Sequence, residues 1–469
     1  MQVLSTLPRK DPASLGIPSR AILNFIDAIE ESGLELHSFM LLRHGCVAAE
    51  GWWAPYRPEF RHALYSLTKS FTSTGIGLAV MEGRLSVDDP VISFFPDDLP
   101  AEISENLASM RIRHLLSMST GHAEDTAGKL FEGTGVGEAR AFLGLPVEYQ
   151  PGTRFVYNSG ASHMLSAIIT KVTGQTLFDY LKPRLFEPLG IEDATWDLSP
   201  GGINTGGWGL SIRTEDIARF GQLYLNLGVW RGKQIISKEW VREATSVQIS
   251  TGDGGASDWA QGYGYQFWRC RHGAYRGDGL FGQSCIVMPQ QDAVVAITAG
   301  VKDMQAVLNH VWDRLLAAMG SEPVAESDED REALARKVSS LAILPPVTRC
   351  DSPAVQRVSG RHFSVTSPGG DAWDLTLSFD KDQCLVEIDD RNGHYHLNCG
   401  LGRWLVSDTV LLGSVPGTSG AMKVALSGGW SNDNTFQITI RSIEVPHLLG
   451  KVICHFGDDI PRVEYQEIR

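Results

Sequence analysis

Apolar residues recur every three or four positions between 19 and 32, at Ile22, Leu23, Phe25, Ile26 and Ile29, which is the spacing of one buried helix face. Two β-like runs follow at 37–43 and 46–53, joined by Arg43-His44-Gly45, a hairpin signal. The helical period returns at 66–81, closed by Gly83, and again at 112–118. It reappears at 160–172, with Gly174 behind it, and at 214–227, opened by Thr214-Glu215-Asp216. Four β-like runs, 263–269, 274–278, 284–288 and 293–298, then lead into a helix at 304–319. For these runs to share one sheet, the early hairpin must pair with the late strands across the whole helical middle. The expected fold over residues 1–320 is therefore an α/β (α+β) core: an antiparallel sheet with flanking helices and a helical lobe beside it.

The pattern changes after that. Residues 321–330, SEPVAESDED, are acidic, carry a proline and lack large apolar side chains, so 321–345 reads as a linker with a helix at 330–341. Beyond Pro345-Pro346 strand and turn alternate, most clearly at Trp373-Asp-Leu-Thr-Leu-Ser-Phe, Cys384-Leu-Val-Glu-Ile, Lys423-Val-Ala-Leu and Thr435-Phe-Gln-Ile-Thr-Ile. Runs at a spacing of about ten residues predict an antiparallel, lipocalin-like β-barrel over 346–469.

Composition narrows the class of protein. With 43% hydrophobic and 20% charged residues in 469, the chain has the make-up of a folded globular protein, long enough to hold a core without metal or disulfide. Lys and Arg number 41 against 55 Asp and Glu, a net charge of −14, which argues against nucleic acid and against an anionic membrane surface as partners. No apolar run is long enough to span a bilayer, and the first fifteen residues lack the apolar core of a signal peptide, so a cytoplasmic location is expected. The seven scattered cysteines form no C-x-x-C pair and read as free thiols of a reducing compartment. Nothing in the sequence assigns an oligomeric state.

Candidate chemistry begins with S-x-x-K, which occurs at Ser66-Leu-Thr-Lys69 and at Ser378-Phe-Asp-Lys381. A serine nucleophile needs a neighbouring base, and on a helix positions i and i+3 share a face, so Lys69 can reach Ser66. Ser378 lies on a strand running into a turn, where that spacing separates the pair. At a helix start Ser66 would also meet free backbone N–H groups and the positive end of the dipole, which favour an oxyanion and a depressed lysine pKa. Taken alone, a serine there reads first as a simple helix cap.

The residues LYSLTKSFTSTGIGLAVMEGRLSVDDPV and IRHLLSMSTGH resemble the serine β-lactamase-like hydrolases, which include class C β-lactamases, D-Ala-D-Ala carboxypeptidases, family VIII esterases and 6-aminohexanoate-oligomer hydrolases. The similarity extends through PGTRFVYNSGASHMLSAIITKVTGQTLFDYL, GGWGLSIRTEDIARFGQLYLNLG and GQSCIVMPQQDAVVAIT, most of residues 15–318. The last two segments look most like the 6-aminohexanoate-hydrolase branch. The resemblance implies that Ser66 is the acylated nucleophile and Lys69 its general base.

For the family's Tyr-x-Asn element, Tyr224-Leu-Asn226 matches literally but lies inside the 214–227 helix, so Tyr157-Asn158-Ser159 is the better counterpart. Tyr157 then relays the proton to the leaving group, and Ser159 stands where the family has asparagine. The Lys-Thr-Gly element aligns with Gly277-Asp278-Gly279. Leu280 N–H would join Ser66 N–H as oxyanion donors, with Gly279, Phe281 and Trp208 as further substrate-binding candidates. The missing lysine argues against β-lactam or D-Ala carboxylates as substrates. Arg276 is adjacent, although alternation on a strand could turn it away.

Competing signals are weak. There is no G-x-S-x-G elbow and no dinucleotide-type GxGxxG at a strand–helix junction. His394, His396 and Cys399 offer metal donors on a β-like run, two of them on one face, but ordinary barrel positions are the simpler reading. Trp52 and Trp53 read as core or pocket wall. The expected protein is a serine hydrolase of a small-molecule ester or amide, with no metal or organic cofactor. The alternatives are an acyltransferase using the same acyl-enzyme, a β-lactamase or D-amino-peptidase, and a non-catalytic ligand sensor.

Overall fold

A computed structural model of the chain describes residues 6–131, 137–346, 348–366, 372–391, 393–410, 421–457 and 462–468. The chain forms two compact units, one spanning Met1–Gly51 and Ala63–Ser339, the other Trp52–His62 and Ser340–Arg469. Among the described residues no helix is long and apolar enough to cross a membrane.

In the first unit the described residues build a six-stranded sheet from β1 (Leu36–Arg43), β2 (Cys46–Trp52), β3 (Trp268–Arg269), β4 (Tyr275–Gly279), β5 (Gln283–Met288) and β6 (Ala293–Ala299). Its order is β2-β1-β6-β5-β4-β3, so the early hairpin and the late strands meet where β1 pairs antiparallel with β6, Leu42 opposite Val294 and Met40 opposite Ala296. His44 and Gly45, both at positive φ, make the tight hairpin turn. β1, β5 and β6 are buried at every position, which explains why their residues run apolar instead of alternating: helices cover both faces. Helix α1 (Ser19–Glu31) lies on one face, with Phe25 edge-on to Phe39 at 5.8 Å.

The helical middle supplies α2 (Thr68–Met81), α3 (Ser159–Thr173) and α4 (Thr214–Leu225). α4 covers the opposite face of the sheet, where Gly221 closes on Val294 and Cys285. α3 ends at Gly174, whose left-handed backbone stops the helix.

Four expected elements differ. Of the run 263–269 only Trp268–Arg269 joins the sheet, because Gly262 and Gln266 adopt positive φ and fold the run back, pairing Tyr263 with Trp268. The helix expected at 66–81 opens with a separate 3-10 turn, Tyr65–Leu67. The closing helix changes pitch, α-helical over Met304–His310, wider over Val311–Leu315 and tighter over Leu316–Ala318. The acidic stretch read as a linker is docked on the first unit: the Val324 amide donates to the Ala13 carbonyl, and the Glu326 carboxylate accepts from the Ser19 amide and hydroxyl. Its helix spans Asp328–Ser339.

The second unit holds β7 (His362–Thr366), β8 (Ala372–Phe379), β9 (Gln383–Asp390), β10 (Gly393–Leu401), β11 (Leu405–Thr409), β12 (Met422–Asn432), β13 (Thr435–Ser442), β14 (Leu449–His455) and β15 (Arg462–Ile468). They form a curled, half-barrel sheet in the order β7-β8-β9-β10-β12-β13-β14-β15, with β11 on β12. Its pairings are antiparallel apart from a short parallel contact of β10 with β12 at Gly400 and Leu401. Leu375, Leu377, Val386, Leu397 and Cys399 point inward onto Trp430 and Phe436. Cys399 therefore cannot join the histidines of its own strand, which alternate to the outer face. Among the described residues the cysteines are free thiols, Cys350 exposed and the others buried.

Candidate functional site

Ser66 sits in the 3-10 turn that precedes α2, and the residue before it, Tyr65, is held at φ 48. A non-glycine side chain in that region is strained, and it stays there only where its surroundings fix it. Here Phe281, itself at φ 65, packs edge-on against Tyr65 with ring centroids 5.5 Å apart. Ser66 is half-buried, open enough to meet a substrate.

One turn along, Lys69 is 1% exposed. Its Nζ donates to Ser66 Oγ at 2.9 Å, to Ser159 Oγ at 3.1 Å and to the Gly207 carbonyl at 2.8 Å. Burial lowers its pKa to about 7, while Asp125 and Asp278 pull the other way. Desolvation, and not the helix end expected from the S-x-x-K spacing, is the largest cause of this shift. A neutral amine at this position can take the Ser66 proton.

Tyr157 ends the loop before α3. The neighbouring Asn158 caps that helix, its Oδ1 accepting from the Ala161 amide at 3.1 Å and from Thr126 Oγ1 at 2.8 Å, so its side chain is committed to structure. The Tyr157 ring stacks on Trp268 at 5.8 Å and lies 4.8 Å from Lys69 Nζ. Burial pushes its hydroxyl above the usual phenol range, and hydrogen bonding with Ser66 partly offsets this. With Met118, Phe155 and Tyr263, these rings make an apolar wall. Gln266 fixes the helices around it: its side-chain amide donates to the Leu115 and Leu116 carbonyls, Ser162 donates to its Oε1, and Ser70 donates to its backbone carbonyl.

The end of β4 closes the site. A Cβ on Gly279 would fall 2.1 Å from the Leu64 carbonyl, so only glycine lets the strand approach the turn that carries Ser66. At Gly277 a Cβ would meet Leu67 Cδ1 at 2.3 Å and Ser70 Oγ at 2.7 Å, which leaves no room for the lysine of a Lys-Thr-Gly element. Arg276 and Asp278 point to the other side of the strand and pair at 2.7 Å, with the Arg276 guanidinium 4.4 Å from the Trp259 ring centre. Asp278 is thus held by its ion pair with Arg276. Leu280 is exposed beyond Gly279. Trp208 follows Gly207 and lies edge-on to Phe131 at 5.5 Å.

Ser66, Lys69, Tyr157 and Ser159 are thus gathered at one place, with Gly279, Leu280 and Phe281 beside the turn that carries Ser66. The rival motifs lie elsewhere. Tyr224 is buried, its hydroxyl paired with Thr74 Oγ1 at 2.7 Å, and Ser378 lies on β8 of the second unit with Lys381 in the following turn. Sequence reasoning missed Asp125, whose Oδ1 accepts from the amides of Ser159 and Ala127, and the Gly207 carbonyl on Lys69. Neither carries a local signal, because a loop aspartate and a backbone oxygen gain their roles only when distant segments meet.

Residues 27–317 match the family model described as Beta-lactamase. The chain is 26% identical over 321 residues to the 6-aminohexanoate-dimer hydrolase of Paenarthrobacter ureafaciens, covering 62% of this chain and 80% of that protein. Among solved structures, a novel penicillin-binding protein homologue from Caulobacter crescentus aligns with a TM-score of 0.53 at 17% identity, over 66% of this chain and 98% of that one. The octameric penicillin-binding protein homologue from Pyrococcus abyssi aligns at 0.51 and 18% identity, over 95% of this chain and 99% of that one. At such identities the two structures speak for the fold.

Proposed function

The chain belongs to the β-lactamase family and is a hydrolase of that family, and on that premise we propose that it cleaves a small-molecule ester or simple amide through an acyl-enzyme on Ser66. The observation that carries this reading is the buried Lys69 amine, 2.9 Å from Ser66 Oγ with a pKa of about 7. As Ser66 Oγ bonds to the carbonyl carbon, its proton passes to Lys69. The amides of Ser66 and Leu280 receive the oxyanion, a service whose loss costs about 100- to 1,000-fold per donor. Tyr157 relays the proton from Lys69 to the departing alcohol or amine as the carbon–leaving-group bond breaks. Water then attacks the acyl carbon, gives its proton to the same base and releases the acid, while Ser66 regains its hydrogen. The relative named a 6-aminohexanoate-dimer hydrolase acts, by that name, on a 6-aminohexanoate dimer, which supports a small-molecule substrate here.

β-Lactams fit the site poorly. Gly277 has no space for a carboxylate-reading lysine, and Ser159 offers a hydroxyl where the family has an amide. A missing hydrogen bond to a charged group costs about 1.5–3 kcal/mol, roughly 10- to 100-fold. The test is kcat/KM for nitrocefin against p-nitrophenyl butyrate on one preparation. The ester is expected to lead by at least about tenfold; a ratio favouring nitrocefin would reassign the protein as a β-lactamase.

A further inference from the structure

The outer face of the second unit's sheet carries a set of side chains that the hydrolytic chemistry does not use. His394 and His396 alternate onto that face of β10. On the neighbouring strand β9, Glu387 stands directly opposite His396 and Asp389 directly opposite His394. Ligand atoms of Glu387, His394 and His396 all lie within 4.8 Å of one another. The geometry points to a binding site for a borderline divalent transition metal, represented by Zn²⁺, held by His394, His396 and Glu387 with Asp389 orienting His394.

The donor set and its spacing decide the class of ion. Tetrahedral bonds of about 2.0–2.1 Å put neighbouring donors about 3.3 Å apart. His396 Nδ1 and Glu387 Oε1 are already 3.3 Å apart. His394 stands beside this pair, its ring edge-on to that of His396 at 4.2 Å between centroids. Three protein donors leave a fourth position open to water.

The second layer is present as well: the Asp389 carboxylate meets His394 Nδ1, and in a metal-bound site that contact orients the ring so that Nε2 serves as the ligand. A carboxylate behind a ligating imidazole is a common support in such sites. Asp374, opposite Asp389 on β8, adds a further negative charge along the same row. Two imidazoles suit zinc, copper or nickel, whereas calcium and magnesium seek oxygen cages. The site is exposed and open to solvent, so an ion needs no path through the fold. Bridging β9 and β10, the metal would tie two strands together and stabilise the unit that holds them.

The full chain, stripped with chelator and dialysed, is titrated with zinc chloride by calorimetry, and its thermal midpoint is followed as zinc rises. One saturable site is expected, with a midpoint that climbs with zinc concentration. His394→Ala/His396→Ala should abolish both effects, and Asp389→Asn should weaken binding about 10- to 100-fold. Magnesium chloride should not compete. Should the double variant melt early without metal, His396→Gln alone is read in the same way. Zinc binding of equal strength in the variants, the absence of a saturable site, or effective competition by magnesium would overturn the proposal.

Discussion

Ser66→Ala should lower the turnover of p-nitrophenyl butyrate by about four orders of magnitude or more while leaving the melting temperature within a few degrees of the parent. The two halves of this result have separate causes. Chemically, no other hydroxyl replaces the nucleophile: Ser159 is within reach of Lys69 but belongs to the start of α3, where its amide is bound by Asp125. Structurally, Ser66 is half-buried, and its loss costs Lys69 one of three hydrogen bonds, with Ser159 and Gly207 still in place. One such bond contributes about 0.5–1.5 kcal/mol. A Ser378→Ala control in the second unit should retain full activity. Activity retained by Ser66→Ala would remove the nucleophile from this site altogether.

The second large effect concerns Lys69 and pH. The amine acts as a base only when neutral, and burial sets its pKa at about 7. Below that value kcat/KM should therefore fall about tenfold per pH unit, and above it the profile should level off. A second, alkaline limb is not expected below about pH 10, because burial pushes Tyr157 above the ordinary phenol range and keeps it protonated. Lys69→Ala should cost about 100- to 10,000-fold and should also erase the acid limb, since the titrating group is gone. Asp125 and Asp278 hold the lysine pKa up against desolvation, so Asp125→Asn should shift the limb to lower pH. A profile flat across the neutral range in the parent protein would contradict a lysine base.

The parts of this molecule legible in its sequence are those written in local spacing. The 3.6 period placed α1, α3 and α4 to within two residues, since each buries one continuous stripe. S-x-x-K needs only one helical turn to bring its two groups together, and the strand context of Ser378 was enough to set the second copy aside. Tyr157 required more than spacing: the literal motif at Tyr224 sits in the core, and the tyrosine that the structure sets beside Lys69 was singled out by the family resemblance.

What escaped the sequence depends on segments meeting. The run from Tyr263 to Arg269 looks like one strand, yet the positive φ of Gly262 and Gln266 turns it into a folded wall beside Tyr157. Gly277 and Gly279 were visible as glycines, but the reason for them, the closeness of Leu67, Ser70 and Leu64, is purely tertiary. The pairing of Asp278 with Arg276 follows the ordinary period of a strand, positions i and i+2 on one face, and only its partners Trp259 and Trp268 show that this face is buried. The cause of the Lys69 shift likewise lies in the depth of its burial, which no short motif encodes.

The central claim is that Ser66 carries the acyl group, and one measurement addresses it without knowledge of the natural substrate. The full chain is treated with a fluorophosphonate probe at neutral pH, its intact mass is recorded, and the labelled peptide is mapped. A single adduct on the peptide containing Ser66, absent from Ser66→Ala and slow to form in Lys69→Ala, is the predicted result. An unlabelled chain, or an adduct that persists in Ser66→Ala, would contradict it.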